Sequence, residues 1–206
     1  MRVAVVGGTG PFGTALAIRL REAGAEVVIG SRDHDRAASL AAELGVEGAT
    51  NDLAVQAADL VVLAVNADAA LDTARELRGA IGSTPVLSVA SELRFTKGGV
   101  LPSPAAASLA ERMQEELDGP VLAGLHSLAA ASLGAEVPPD EDAFVCGDDP
   151  DAKALALELA SRLTSGRALD AGPLASARAL EGFTAVIVNM NKRYRAHAGI
   201  RVTGIS

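Results

Sequence analysis

The chain opens with MRVAVVGGTGPFG. A short apolar run, Val3 to Val6, passes straight into a turn, Gly8-Thr9-Gly10-Pro11-Phe12-Gly13. An unbroken apolar run with β-branched bias reads as a strand buried on both faces, which is the pattern of a parallel sheet. Phe12 to Ala23 then switches to helical spacing, with Phe12, Leu16, Ile18 and Leu20 apolar and Arg19, Arg21 and Glu22 polar. Gly24 stands where a helix-terminating glycine belongs. A second strand follows at Glu26 to Gly30. Strand, glycine turn, helix and strand in that order predict a βαβ unit.

The turn is a G-x-G-x-x-G string, weak by itself in a chain with 21 glycines. Its place between a strand and a helix is what gives it meaning. Gly8 permits the tight turn, Gly10 lets the backbone approach a pyrophosphate, and Gly13 lets the helix pack on the sheet. Pro11 suits the first helical position, where no N–H is needed. The helix start offers unpaired N–H groups and partial positive charge to phosphates. The spacing therefore predicts a dinucleotide site, against the plainer reading of a glycine turn with only a structural use.

The end of the second strand selects the dinucleotide. An NAD site places Asp or Glu there, on the ribose 2′-hydroxyl. This chain has Ser31 and Arg32, with Arg36 one helical turn on. Arginine makes forked, charge-assisted bonds to phosphate, so the pattern favours NADP(H). For Arg36 a solvated helix charge is an equal reading. Asp33 and Asp35 read as first-turn capping residues.

Further along, Val46–Ala49, Leu60–Val65 and Pro85–Ala90 read as strands and Ala67–Ala80 as a helix. The expected fold class is α/β, a doubly wound Rossmann sheet, mostly parallel. The stretch 91–104, with two glycines and two prolines, reads as a loop. Ala105–Leu117 reads as a helix, and strands follow from Pro120, Ala143 and Arg167. Asp151–Leu163 is helical, and Ala175 to about Arg195 is the longest helical candidate. The tail after it is basic, with Lys192, Arg193, Arg195 and Arg201. An NADP-binding part over 1–120 and an acceptor-binding and dimerisation part over 121–206 follow, with a soft boundary that one continuous domain would erase.

Composition narrows the partners. Net charge is −8, aromatics are 2% and Trp is absent, which disfavours nucleic acid. The single Cys146 excludes an intramolecular disulfide and a multi-cysteine metal site, and it reads as a small buried hydrophobe. Asp148 and Asp149 read as a helix cap, so no metal is expected. No apolar run reaches membrane-spanning length, and the start lacks signal-peptide form. A cytoplasmic protein is the expectation.

The stretches MRVAVVGGTGPFGTALAIRL, VVIGSR, LHSLAA, VCGDD and LDAGPLASARALEGFT resemble the NADPH-dependent reductases of the 8-hydroxy-5-deazaflavin coenzyme F420. The closing NMNKRYRAHAGIR resembles the actinobacterial branch. The resemblance runs nearly the whole chain in order. It implies an oxidoreductase that transfers a hydride between NADP(H) and F420, usually as a homodimer. It also implies that Ala64, Val65 and Asn66 flank the cofactor's ribose and nicotinamide side, and that Ala90 and Ser91 face the ring junction. His126, at the C-terminal end of a strand where open α/β sheets bind ligands, matches the family histidine beside the deazaflavin. Ser127 and Leu128 would line the same wall. The plainer reading of His126 is a histidine that satisfies strand-end backbone groups. Two other functions stay open: an NADP-dependent reductase of another small substrate, and a non-catalytic NADP-sensing protein.

Overall fold

A computed structural model describes residues 1–205. The N-terminal unit is β1 (Arg2–Val6), α1 (Pro11–Glu22), β2 (Glu26–Ser31), α2 (His34–Leu44) and β3 (Glu47–Thr50). Next come α3 (Asn51–Val55), β4 (Leu60–Leu63), α4 (Ala67–Ile81) and β5 (Val86–Ser88). A hairpin, β6 (Leu93–Thr96) and β7 (Gly99–Pro102), leads to α5 (Leu109–Gln114) and β8 (Val121–Gly124). The chain ends with α6 (Ala130–Leu133), β9 (Ala143–Gly147), α7 (Pro150–Ser161), β10 (Ala168–Asp170), a single 3-10 turn and α8 (Ala177–Tyr194).

Eight strands form one sheet in the order β10-β9-β8-β5-β4-β1-β2-β3. Every pair is parallel except β8–β9. The expected doubly wound, mostly parallel sheet is what forms, and it runs across residue 120 without a break. Alternation along β1 shows both faces covered. Val3 and Val5 pack with Leu16 and Leu20 of α1 and Leu159 of α7. Ala4 and Val6 pack with Leu77 and Ile81 of α4, Met113 of α5 and Leu180 of α8. A strand buried on both sides needs no polar alternation, hence its continuous apolar run.

Three expectations need correcting. The segment read as a loop, 91–104, contains the β6–β7 hairpin. Its support is remote: the Asn189 amide on α8 accepts from Val100 N–H at 2.8 Å and donates to Val100 C=O at 2.7 Å. A local reading of glycines and prolines has no access to that contact. The helix expected over Ala105–Leu117 is only Leu109–Gln114, because Ser108 and Glu111 form a capping box that sets a late start. Arg19, on the polar side of the α1 pattern, is buried. Its Nε and Nη2 donate to Leu133 C=O at 3.2 and 3.0 Å, tying α1 to α6.

Beyond α8 the chain turns at Arg195, in the left-handed region at φ 52°, and residues 196–205 return to the start of β9. Asp142 N–H donates to Ile200 C=O at 2.7 Å, and Val202 N–H donates to the Asp142 carboxylate at 2.8 Å.

Candidate active site: a glycine-lined cleft and a histidine turn

The glycine turn is built by steric exclusion. Gly7 takes φ +78°, and a Cβ there would lie 2.8 Å from Ala64 O. The tight turn thus belongs to Gly7 rather than Gly8. Gly8 is required for space: a Cβ would sit 2.8 Å from Val5 O and 2.9 Å from the Ile29 side chain. Gly13 is tighter still, 2.6 Å from Gly7 O and 2.7 Å from Gly8 Cα, so α1 lies directly on the turn. Gly10 differs, since its nearest protein atom to a Cβ is Gly7 O at 3.4 Å. Nothing inside the protein demands glycine there, and its open side faces the cleft. Pro11 stands at the start of α1, as expected.

That cleft has a volume of about 440 Å³. Of the expected cofactor residues, Thr9, Gly10, Ser31, Arg32, Arg36, Ala64, Val65 and Asn66 line it, joined by Gly7, Asp33, Asn51, Ala69 and Thr73. Gly8, Pro11, Phe12, Gly13, Ala90 and Ser91 are not on the lining; Phe12 packs against the core. Asp33 caps α2, accepting from Arg36 N–H at 3.1 Å. The Arg36 guanidinium donates to Thr9 C=O at 3.1 Å, so it reaches across to the glycine turn instead of lying free on its helix. Asn51 presents a buried side-chain oxygen with no partner. No sequence pattern marked Asn51, which opens a short helix that periodicity cannot resolve. The residues fit a dinucleotide with a 2′-phosphate: an open glycine at a helix start and two guanidiniums.

The second constellation lies at the ends of β5 and β8. Leu125, fully buried, takes φ +64°, a left-handed conformation unfavourable for a branched, bulky residue. The turn closes with Leu128 N–H on Leu125 C=O at 3.0 Å, and Leu125 N–H donates to Phe144 C=O at 3.0 Å. His126 projects from this turn, 6% exposed. Its Nε2 lies 3.3 Å from Ala90 C=O. A carbonyl only accepts, so Nε2 carries the proton and Nδ1 keeps its lone pair. Nδ1 is buried without a partner. Burial pushes the His126 pKa down to about 4, the Ala90 contact opposing that weakly. The imidazole is therefore neutral around pH 7 and presents a bare acceptor. The Ala90 bond is the strand-end contact of the plainer reading, and it leaves Nδ1 as a buried, unpaired acceptor.

Thr184 of α8 ties the wall together. Its hydroxyl donates to His126 C=O at 3.1 Å, and its oxygen lies 2.7 Å from the Ser91 hydroxyl. With the Thr184 proton committed, Ser91 is the donor of the second bond. Ser91 is thus held to α8, Ala90 to the His126 ring. The Ser127 hydroxyl is committed inward, to Asp142 C=O at 3.1 Å, and Leu128 packs in the core. Thr184 and Asp142 carried no sequence signal, because each acts through a contact far away in the chain. Glu181 accepts from Leu109 and Ala110 N–H, both at 3.1 Å, and so caps α5 from α8. Cys146 is buried, and desolvation pushes its thiol up to about 12.

Comparison with known proteins gives the chain its kin. It is 35% identical to the F420-dependent NADP reductase of Methanothermobacter thermautotrophicus, over 100% of this chain and 96% of that protein. The chain belongs to the F420-dependent NADP reductase family. The enzyme of that name from Methanocaldococcus jannaschii is 31% identical over 100% of this chain and 99% of its own. The family profile described as NADP oxidoreductase coenzyme F420-dependent matches residues 2–92. A crystal structure from Arthrobacter sp. FB24 superposes with TM-score 0.84 over 99% of this chain and 100% of that one, at 24% identity, and shares the fold. A Streptomyces aurantiacus imine reductase superposes with TM-score 0.66 at 24% identity, but this chain spans only 62% of it. The β8–β10 portion of this chain stays within the same sheet. Among the described residues no helix is long and apolar enough to cross a membrane, and no cluster of three or more His, Cys, Asp or Glu has metal-binding geometry.

Proposed function

We propose that this reductase transfers a hydride between NADP(H) and coenzyme F420, with the 440 Å³ cleft holding the dinucleotide and the His126 turn forming the acceptor wall. The observation that carries the reading is the pairing of an open Gly10 beside Arg32 and Arg36 with a buried, neutral histidine bearing an unused acceptor at the next strand ends. The nicotinamide, when bound, supplies the hydride chemistry; the chain supplies binding, orientation and exclusion of water.

Each group then has a part. The α1 start and Gly10 hold the pyrophosphate. Ser31, Arg32 and Arg36 hold the 2′-phosphate, with Arg36 already fixed on Thr9. Ala64, Val65 and Asn66 carry the ribose side, and Ala90 and Ser91 the ring junction. The neutral His126 orients the deazaflavin by accepting a hydrogen bond at Nδ1; it does not serve as an acid at pH 7. Ser127 and Leu128 shape this wall from behind. Residues 1–120 make the cofactor part and 121–206 the acceptor and dimerisation part. The dimer face is the outer stripe of α8, where Val186, Met190 and Tyr194 recur every fourth residue and remain exposed, as do Phe95 and Leu101 on the hairpin. The enzyme works in the cytoplasm.

The test is a titration of the purified protein with NADPH and oxidised F420, following the deazaflavin's visible absorbance. Stoichiometric bleaching is expected. NADPH binding without bleaching would leave a sensing protein instead. His126→Ala should keep NADPH affinity while slowing F420 reduction by about 100-fold, the scale for losing a positioned hydrogen bond in a closed site. A normal rate in that variant would reduce His126 to a strand-end residue.

A further inference from the structure

The turn that carries His126 is unfavourable by its own local conformation. Leu125 at φ +64° holds only because its surroundings over-determine it. Most restraints come from the sheet and α8: Phe144 C=O on Leu125 N–H, Ala90 C=O on the imidazole, and Thr184 on His126 C=O. One comes from elsewhere. The Ser127 hydroxyl donates to the backbone carbonyl of Asp142, at the end of the loop that enters β9.

Asp142 is completely buried, yet all its polar groups have partners. Its Oδ1 accepts from Arg167 N–H at 2.9 Å and its Oδ2 from the Arg167 guanidinium at 2.7 Å and Val202 N–H at 2.8 Å. Its own N–H donates to Ile200 C=O at 2.7 Å. Arg167 in turn donates to Val202 C=O and, at 2.9 Å, to Ile205 C=O. Arg201 is paired with Asp140 at 3.2 Å. The last residues of the chain thus close over Asp142 from one side, while its carbonyl holds Ser127 on the other.

We propose that Asp142 is a positioning residue for the acceptor wall, and that the C-terminal strap, residues 196–205, completes it. The strap fixes Asp142, Asp142 fixes Ser127, and Ser127 holds the strained turn that aims the His126 ring. An isolated stabilising ion pair between β9 and β10 would need neither the two backbone bonds to the strap nor the Ser127 contact. The functional side of the proposal rests on reading the His126 turn as the F420 wall.

The test uses the full chain with Asp142→Asn, which puts an amide NH₂ among the donors around one of the two oxygen positions. Three readouts are taken. NMR titration should show the His126 pKa rising from about 4 toward the ordinary 6.5 as water reaches a loosened turn. The KM for F420 should rise about tenfold, with the NADPH dissociation constant unchanged within about twofold. A folded variant with lower Tm but wild-type His126 titration and wild-type KM for F420 would overturn the proposal. Hydrogen exchange on the unaltered protein decides the matter if the variant does not fold. The amides of Leu125, Leu128, Asp142 and Val202 should open together, with one free energy. A strap that opens while Leu125 and Leu128 stay protected overturns it equally. The titration and the exchange need no F420, so they stand apart from the bleaching assay: a protein that fails to reduce F420 loses the functional reading, not the mechanical one.

Discussion

In the glycine turn, Gly7 takes φ +78° and much of what shapes the backbone is the turn itself, Val5 O against Gly8 and Gly7 O against Gly13, with Ile29 and Ala64 O closing in from the neighbouring strands. In the His126 turn the shaping groups are scattered. Asp142 is 15 residues away, Ala90 is 36 and Thr184 is 58. Both turns sit at the carboxyl ends of parallel strands, where open α/β sheets bind ligands. The first is shaped by what cannot fit, and the second by bonds that must all be present. Steric exclusion is robust to change elsewhere and intolerant of change on the spot. A bonded scaffold has the reverse character, because any of several remote residues can loosen it.

The largest effect should come from breaking the excluded space. Gly13→Val places a side chain 2.6 Å from one backbone atom and 2.7 Å from another, and neither can move as a flexible side chain could. Overpacking against backbone should cost at least about 3 kcal/mol of stability and abolish NADPH binding. Gly10→Ala is the sharper companion. Its nearest contact is 3.4 Å, so thermal stability should hold while NADPH affinity falls about tenfold, because the added methyl meets only the ligand. Calorimetry on both separates the cases. If Gly10→Ala binds NADPH normally, the open side of this glycine does not face the pyrophosphate.

This contrast also accounts for what the sequence made legible. Steric devices leave a local mark: glycines at fixed offsets, Pro11 at a helix start, an arginine pair after β2. The parallel sheet was legible for the same reason, since double burial writes itself as apolar runs such as Leu60–Leu63. Bonded devices leave none. Thr184 looks like any polar residue on an amphipathic helix, and Asp142 like one more acid in PPDEDAF. The β6–β7 hairpin was read as a loop because its decisive contact, Asn189, lies 89 residues on. The short α3 was invisible because five residues do not complete two helical turns. Even in the glycine turn the tight-turn residue moved by one, to Gly7, because motif offsets do not report φ.

A smaller effect tests the cofactor side without touching its steric frame. Arg32 is exposed on the cleft and has no protein partner that would be orphaned by its loss. Losing one charge-assisted contact to phosphate is worth about 1.5–3 kcal/mol. Arg32→Ala should therefore weaken NADPH binding by at least about tenfold and leave NADH nearly unaffected. Arg36→Ala should also disturb the glycine turn, through its bond to Thr9, and so weaken both cofactors. Equal losses for both cofactors in Arg32→Ala would remove the 2′-phosphate assignment.

The smallest effect belongs to the start of β9, where remote bonding brings a carboxyl under residues 196–205. Glu141 is buried against Gly199, so closely that a Cβ on that glycine would have no room. Desolvation pushes its pKa up to about 7, opposed by Ile200. The folded state therefore holds a proton that the unfolded state releases near 4.5, and stability falls as pH rises from 4.5 through 7. His126 acts oppositely: its pKa drops from 6.5 to about 4 on folding, so stability falls as pH falls through that window. The two slopes oppose each other between 4.5 and 6.5. Glu141→Gln removes one of them. The full shift would correspond to about 3 kcal/mol, and water reaching a carboxyl that lines an open cavity with His197 should reduce this to about 1 kcal/mol. The variant should gain that much stability relative to wild type on going from pH 5 to pH 7.5, measured by urea unfolding at each pH. Asp142, held low by the Arg167 guanidinium, titrates below this range. A gain that is the same at both pH values would mean that Glu141 ionises normally beneath the strap.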